Sequence, residues 1–233
     1  MKTSSPTSWS TAALALALAT SGCMGTPPSP VTVPVPSMTP PTLACSAAGV
    51  SASDASPLAT VCVLTSLGEF VLALDATRAP ITVPNFLGYV TRHFYDGTVI
   101  HRVEQAVLIQ GGGYLADPRY AVALKKNTVP PIALESANGW SNLRGTIAMA
   151  RTEVPDSATS QYFINLQDNP AFDYDPTQVD AGGAIIPNGY AVFGTVISGM
   201  GTADVIGHLD TYLDLWPSPE VVVYWAQLLH PAL

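Results

Sequence analysis

The stretch Val99–Gly113, VIHRVEQAVLIQGGG, decides how this chain is read. An apolar run carries a histidine and an arginine side by side, breaks at Glu104 and Gln105, resumes as AVLIQ and ends on three glycines. The apolar run reads as β structure. Side chains alternate faces along a strand, so Ile100, Arg102 and Glu104 are expected on one face and His101 and Val103 on the other. From this segment alone Arg102 has two accounts: a partner for Glu104 on a solvated face, or a cation placed for chemistry. No Lys-Ser or Lys-Thr follows the glycines and no helix opens on them, so they point to close backbone packing instead of a phosphate cradle.

Outward from this segment, strand-like runs alternate with Gly, Pro, Asn and Asp breaks. Thr60–Asp75, TVCVLTSLGEFVLALD, reads as a hairpin turning at Ser66, Leu67 and Gly68. A helix is expected from Val83 to about Arg92, with Thr82 as N-cap, Pro84 in the first turn and Phe86, Leu87 and Val90 at helical spacing. Short apolar runs at Thr146–Ala150, Tyr162–Leu166, Ala191–Ile197 and Val221–Leu229 predict further strands, and Thr202–His208 a second helix. Many strands with two helices imply a closed or nearly closed antiparallel sheet with helices over its ends.

With 233 residues, 48% hydrophobic and 11% charged, the chain can bury one substantial core. A net charge of −8, with no basic cluster longer than Lys125–Lys126, leaves little to neutralise a phosphate backbone and argues against nucleic acid. No G-x-S-x-G elbow is present, and His93, His101, His208 and His230 lack metal-ligand spacing. Asp173, Asp175 and Asp180 lack the closing glutamate of a calcium loop. The sequence therefore calls for no metal and no cofactor.

The N-terminus, MKTSSPTSWSTAALALALATSGC, has one early lysine, an apolar stretch and small residues before a cysteine, which is the layout of a signal peptide over residues 1–22. The motif resembles a lipobox, so Cys23 is expected to carry a lipid anchor to a membrane of the cell envelope; ordinary cleavage and release is the other course. Residues 23–59 are rich in Pro, Ser and Ala and read as a tether, with the compact domain over 60–233. If Cys23 is lipidated, Cys45 and Cys62 remain, either as a disulfide in an oxidising compartment or as two free thiols.

Three blocks, IHRVEQAVLIQGGG, NLRGTIAMARTEVPDSATSQYFIN and YAVFGTVISGM, resemble in this order the cyclophilins, the exported bacterial prolyl isomerases in particular. The resemblance runs from about Val61 to Leu229. It implies a mainly β fold, an eight-stranded antiparallel closed β-barrel capped by two α-helices. It also implies peptidyl-prolyl cis/trans isomerase activity on proline-containing polypeptides, without a cofactor, here assisting the folding of exported proteins; the sequence leaves the oligomeric state open, with a monomer favoured.

By that resemblance Arg102 is the catalytic arginine and Gln110 the glutamine that orients it or contacts the substrate backbone. Val107, Leu108, Met149, Phe163 and Phe172 fall at the proline pocket, Ala150, Arg151 and Gln161 along the peptide groove, and Tyr190 where the family has a groove histidine or tyrosine. The chain also departs from the pattern. Glu104, Gln105, Ala106 and Val107 stand where the family has an aliphatic residue, a proline, a glycine and a phenylalanine, and Ala171 replaces a large rim side chain. Glu104 can pair with Arg102, and the loop 173–189 is long. These departures leave a second reading open, a peptide-binding module of the envelope with weakened catalysis.

Overall fold

A computed structural model describes residues 39–115, 124–185, 187–212 and 215–231. The expected signal peptide and Cys23 lie outside the described residues. The hairpin forms as β1 (Ala59–Thr65) and β2 (Gly68–Leu74), and the opening segment as β3 (Thr98–Glu104) and β4 (Leu108–Leu115). A short β5 (Leu124–Lys125) pairs with β4, followed by β6 (Thr146–Met149), β7 (Tyr162–Asn165) and β8 (Val192–Ser198). The last strands are β9 (Asp210–Tyr212), β10 (Trp216–Ser218) and β11 (Val221–His230).

The main sheet runs β3-β11-β1-β2-β8-β6-β7-β4, and β4 pairs back onto β3, which closes an eight-stranded antiparallel barrel. Closure removes exposed strand edges, and it requires each strand to send alternate side chains inward. Val61, Val63, Phe70, Leu72, Ile109, Ile147, Ile164 and Phe193 do so, each at most 1% exposed.

Two helices plug the barrel, as predicted. α2 (Thr82–Thr91) sends Val83, Phe86, Tyr89 and Val90 into the core, where Phe86 meets Tyr162 edge-on at 5.7 Å. α3 (Met200–Gly207) adds Ala203 and Ile206, and its Gly207 lies against Leu166. Tyr162 is the first residue of β7 and Leu166 follows its last, so the two helices close opposite ends. Thr82 is not the N-cap of α2: the cap position is Ile81, without a side-chain bond. The distant Glu135 carboxylate takes its place, accepting from Ile81 N at 3.0 Å, Thr82 N at 2.8 Å and Thr82 Oγ1 at 2.7 Å. An acceptor at these orphan N–H groups needs to be near in space only.

The segment read as the end of the tether is structured. Ser46 caps a third helix, α1 (Ala47–Asp54), by accepting from Gly49 N at 3.1 Å. A disulfide joins Cys45 to Cys62 of β1, with Cα atoms 6.2 Å apart. Trp225 Nε1 donates to Thr42 O at 2.9 Å, so this N-terminal strap lies on the outer face formed by β1, β2 and β11, around Cys62, Leu64, Val71 and Trp225. The helix carries almost no amphipathic signal, being built mostly of Ala, Ser and Gly, and its stability comes from the cap and the cross-link.

The side-chain alternation expected along β3 does not hold. Ile100 pairs with Gly111 but Arg102 pairs with Gln110, so His101 is an extra residue, a β-bulge. The phase shifts by one beyond it. Ile100 and Val103 both enter the core, whereas Arg102 and Glu104 face outward.

Candidate active site

The bulge sets Arg102 at the head of a row that crosses the outer barrel wall. Arg102 lies opposite Gln110, Gln110 opposite Phe163, Phe163 opposite Ala148, and Ala148 opposite Val192. Residues paired across antiparallel strands share a face. Five strands thus deliver a cation, an amide and an apolar floor to one surface.

At the polar end, Arg102 Nη1 donates to Gln110 Oε1 at 3.2 Å, and Gln110 Nε2 donates to Gln161 Oε1 at 2.9 Å. Gln161 fits here because position 113 is glycine: a Cβ there would stand 2.6 Å from Gln161 Nε2. Gly112, with φ +83°, would likewise press a Cβ within 2.7 Å of Ser160 O. The triple glycine is thus a close-packing device within β4. Arg102 Nη2 donates to Glu104 Oε2 at 2.7 Å, and the two side chains are 38% and 40% exposed. Arg102 thus has a carboxylate partner at the head of the row that leads to the apolar surface.

That surface has Leu108, Ala148, Phe163 and Val192 buried at its centre, with Val107, Ala150, Phe172, Tyr190 and Trp140 half-buried around them. Phe163, Phe172 and Tyr190 meet edge to face, with centroids 5.4 to 5.9 Å apart. Arg151 stacks its guanidinium 4.9 Å from the Tyr190 centroid and donates Nε to Gly189 O at 2.8 Å.

Met149 does not join it. Its side chain is 2% exposed and packs inside the barrel with Ile147 and Tyr162, since β6 sends residues 147 and 149 inward and 148 outward. The β3–β4 turn holds Ala106 at φ +58°, a left-handed conformation in which a side chain costs about 1 kcal/mol. The turn is held in place by Ala106 N, which donates to Gly207 O at 3.2 Å, and by Val107 O, which accepts from Leu166 N at 2.8 Å. Val107 is thereby fixed against the patch although it is smaller than an aromatic residue.

Sequence reasoning missed the polar support beneath the rim. Asn142, fully buried, donates Nδ2 to Phe172 O at 3.0 Å, while Asp173 Oδ1 accepts from Asn142 N at 2.6 Å. Asn165 Nδ2 donates to Thr146 Oγ1 at 2.9 Å and Asn169 Nδ2 to Asn165 Oδ1 at 2.8 Å. These bonds fix the turn carrying Phe172 and satisfy polar groups that burial would otherwise penalise. Asn142 and Asn165 bound the middle sequence block, which was the available signal. Asp173, Asp175 and Asp180 serve separate purposes: Asp173 accepts from Ser141 and Asn142, Asp175 from Thr177, and Asp180 from Gly182 and Ala184.

His101 sits behind Arg102, 8% exposed, with its ring 4.7 Å from Tyr114 and 6.0 Å from Trp216. Burial pushes its imidazole pKa down to about 4, so it is neutral at pH 7 and leaves the charge at this end to Arg102.

The model of the family described as cyclophilin type peptidyl-prolyl cis-trans isomerase/CLD matches residues 60–227. Peptidyl-prolyl cis-trans isomerase A of Dickeya dadantii is 42% identical over 174 residues, 72% of this chain and 84% of that protein. A peptidyl-prolyl cis-trans isomerase of Streptomyces antibioticus is 40% identical, over 74% of this chain and 99% of its own. Isomerase B of Escherichia coli is 41% identical over 142 residues, 61% and 80% of the two chains. A cyclophilin of Cryptosporidium parvum, solved in the presence of the dipeptide Ala-Pro, shares the fold with TM-score 0.56 at 21% identity, over 72% of this chain and 98% of that one. With its closed barrel, two end-capping helices and this match, the chain belongs to the cyclophilin-type peptidyl-prolyl cis-trans isomerases and is an enzyme of that class.

Proposed function

We propose that the outer-face row is the catalytic surface, with Arg102 acting on the prolyl nitrogen and the Phe163 patch receiving the proline ring. Amide resonance holds an X-Pro bond behind a barrier of about 18 to 20 kcal/mol. Rotation moves the nitrogen lone pair out of conjugation, and the pyramidal nitrogen becomes a hydrogen-bond acceptor. A donor aimed at that atom stabilises the twisted state more than either planar one, which is the condition for raising turnover. An acceleration of about five powers of ten corresponds to roughly 7 kcal/mol of such preference. The guanidinium carries five N–H donors in a fixed fork, of which Gln110 and Glu104 take one each.

The observation that carries this reading is the Arg102–Gln110–Gln161 hydrogen-bonded chain set beside the Phe163, Phe172 and Tyr190 rings. The test is exchange of an X-Pro peptide measured with wild type, Arg102→Ala and Arg102→Lys. Loss of at least a hundredfold in kcat/KM is expected for Arg102→Ala, with Lys restoring little because it lacks the fork. Equal rates for wild type and Arg102→Ala would overturn the assignment.

One contact favours a second reading. The bond from Arg102 to Glu104 at 2.7 Å engages the proposed catalytic group, as a peptide-binding module with slowed catalysis would have it. That reading predicts peptide-induced chemical-shift changes at Phe163 with little exchange enhancement.

The clients are proposed to be exported polypeptides. Two features support this: the signal-like residues 1–22 and a disulfide, Cys45–Cys62, of the kind that persists in oxidising compartments. Lipidation of Cys23 would hold the enzyme at a membrane. Mass spectrometry of the mature N-terminus tests this, and a first residue other than lipidated Cys23 would refute it.

A further inference from the structure

The aromatic rim does not end at Phe172. Ala171 leaves that edge without a large side chain, and Trp140, which belongs to none of the three sequence blocks and comes from the loop before β6, packs against the same apolar cluster. Its position is fixed from several sides. Trp140 N donates to Asn138 Oδ1 at 3.1 Å, and Asn138 Nδ2 donates to Val192 O at 2.8 Å, which ties the loop to β8. Arg78 stacks on the indole at 5.3 Å.

Beside Trp140 opens a cavity of about 300 Å³, lined by Ser136, Gly139, Trp140, Ser141, Asp173 and Tyr174. That volume is at the small end for ligand pockets and suits a single side chain. Trp140 lines this cavity and also packs against the Phe163 cluster, so the cavity adjoins the proposed proline pocket. The Ser136, Ser141 and Asp173 side chains of the cavity are already engaged. Asp173 accepts from Asn142 N and Ser141 Oγ, and Ser136 Oγ donates to Asn188 O. What remains for a ligand is the Trp140 and Tyr174 rings, next to a carboxylate that disfavours acidic groups.

We propose that this cavity is a second substrate subsite, which takes one aromatic or large aliphatic side chain of the client polypeptide flanking its proline. The proposal rests on the outer-face row being the catalytic surface. It gives the enzyme a sequence preference beyond proline itself, supplied by Trp140.

The test uses peptides that are identical except for Phe or Ala at each position flanking the proline, compared with wild type, Trp140→Ala and Tyr174→Ala. Wild type is expected to favour Phe over Ala at one position by about five- to tenfold in kcat/KM. Both variants are expected to bring that ratio near one, and the ratio cancels any general loss of activity. The Trp140 indole N–H resonance, assigned with Trp140→Phe, should shift on adding the Phe peptide and stay in place with the Ala peptide. Catalysis by wild type with equal rates at every flanking position would overturn the subsite while leaving the catalytic surface standing. A preference for Phe that survives in both variants would place its origin elsewhere and also overturn it. Failure of wild type to accelerate either peptide would overturn the catalytic reading on which the subsite rests.

Discussion

Replacing Glu104 by glutamine should make the enzyme faster. The carboxylate accepts from Arg102 Nη2 at 2.7 Å, and its negative charge offsets part of the field that the guanidinium applies to the substrate. Two unit charges 4 Å apart interact by about 1 kcal/mol in water and about 4 kcal/mol at an effective dielectric constant of 20. With Arg102 and Glu104 38% and 40% exposed, solvent screens the pair heavily. The relevant range is that of surface pairs, about 0.5 to 1 kcal/mol. Glutamine keeps the length and can still accept from Arg102, so the fork stays oriented while the charge goes. The expected result is a two- to fivefold rise in kcat/KM on an uncharged X-Pro peptide. At about 1 M salt, where the Debye length shrinks to about 3 Å, the ratio of variant to wild type should fall toward one. The assay is line-broadening or coupled-protease exchange at low and high salt. An unchanged rate would refute the electrostatic argument. A fall of tenfold or more would show instead that the charge of Glu104 is what holds Arg102 in place.

Two further outcomes concern stability. Replacing Cys45 and Cys62 together by serine opens a cross-link with a sequence separation of 17 and should cost about 3 kcal/mol, lowering Tm by about 10 °C; an unchanged Tm in calorimetry would refute a stabilising role for the strap. His101 has a folded pKa of about 4 against an ordinary 6.5, so between those values the unfolded chain binds more protons. Its contribution is therefore fully present above about pH 6.5 and lost as pH falls to 4, reaching about 3 kcal/mol of destabilisation. Urea midpoints at pH 7, 5 and 4 should show a shallower fall for His101→Gln than for wild type, and parallel falls would refute the assignment.

Strands and end-capping helices were legible because their signals are local. The two β-favouring runs from Val61 to Leu74 around the Gly68 turn define a hairpin whatever surrounds it, and Phe86 and Val90 mark the buried face of α2. What escaped depends on events distant in sequence. The bulge at His101 is set by which residue of β4 faces it, so strict alternation placed Arg102 on the wrong side of Ile100. The resemblance places Met149 at the proline pocket by its position in a block, while the pleat of β6 turns it inward. Glu135 capping α2 and Trp140 joining the Phe163 patch both require the folded path of residues 126–145, which carries little periodicity. α1 was read as tether because Ala, Ser and Gly give no apolar stripe, although Ser46 stood in the cap position.

The ring of strands also fixes where mechanical load enters the molecule. Cys62 is on β1 and Phe163 on β7, which stand four strands apart whichever way the barrel is traversed. A pull on the chain ahead of Cys45 is therefore taken covalently at the wall across from the groove. The strap would act as a strain relief: drag on one end of the protein passes into the hydrogen-bonded β1–β2 and β1–β11 ladders, and the rings that meet the client are spared it.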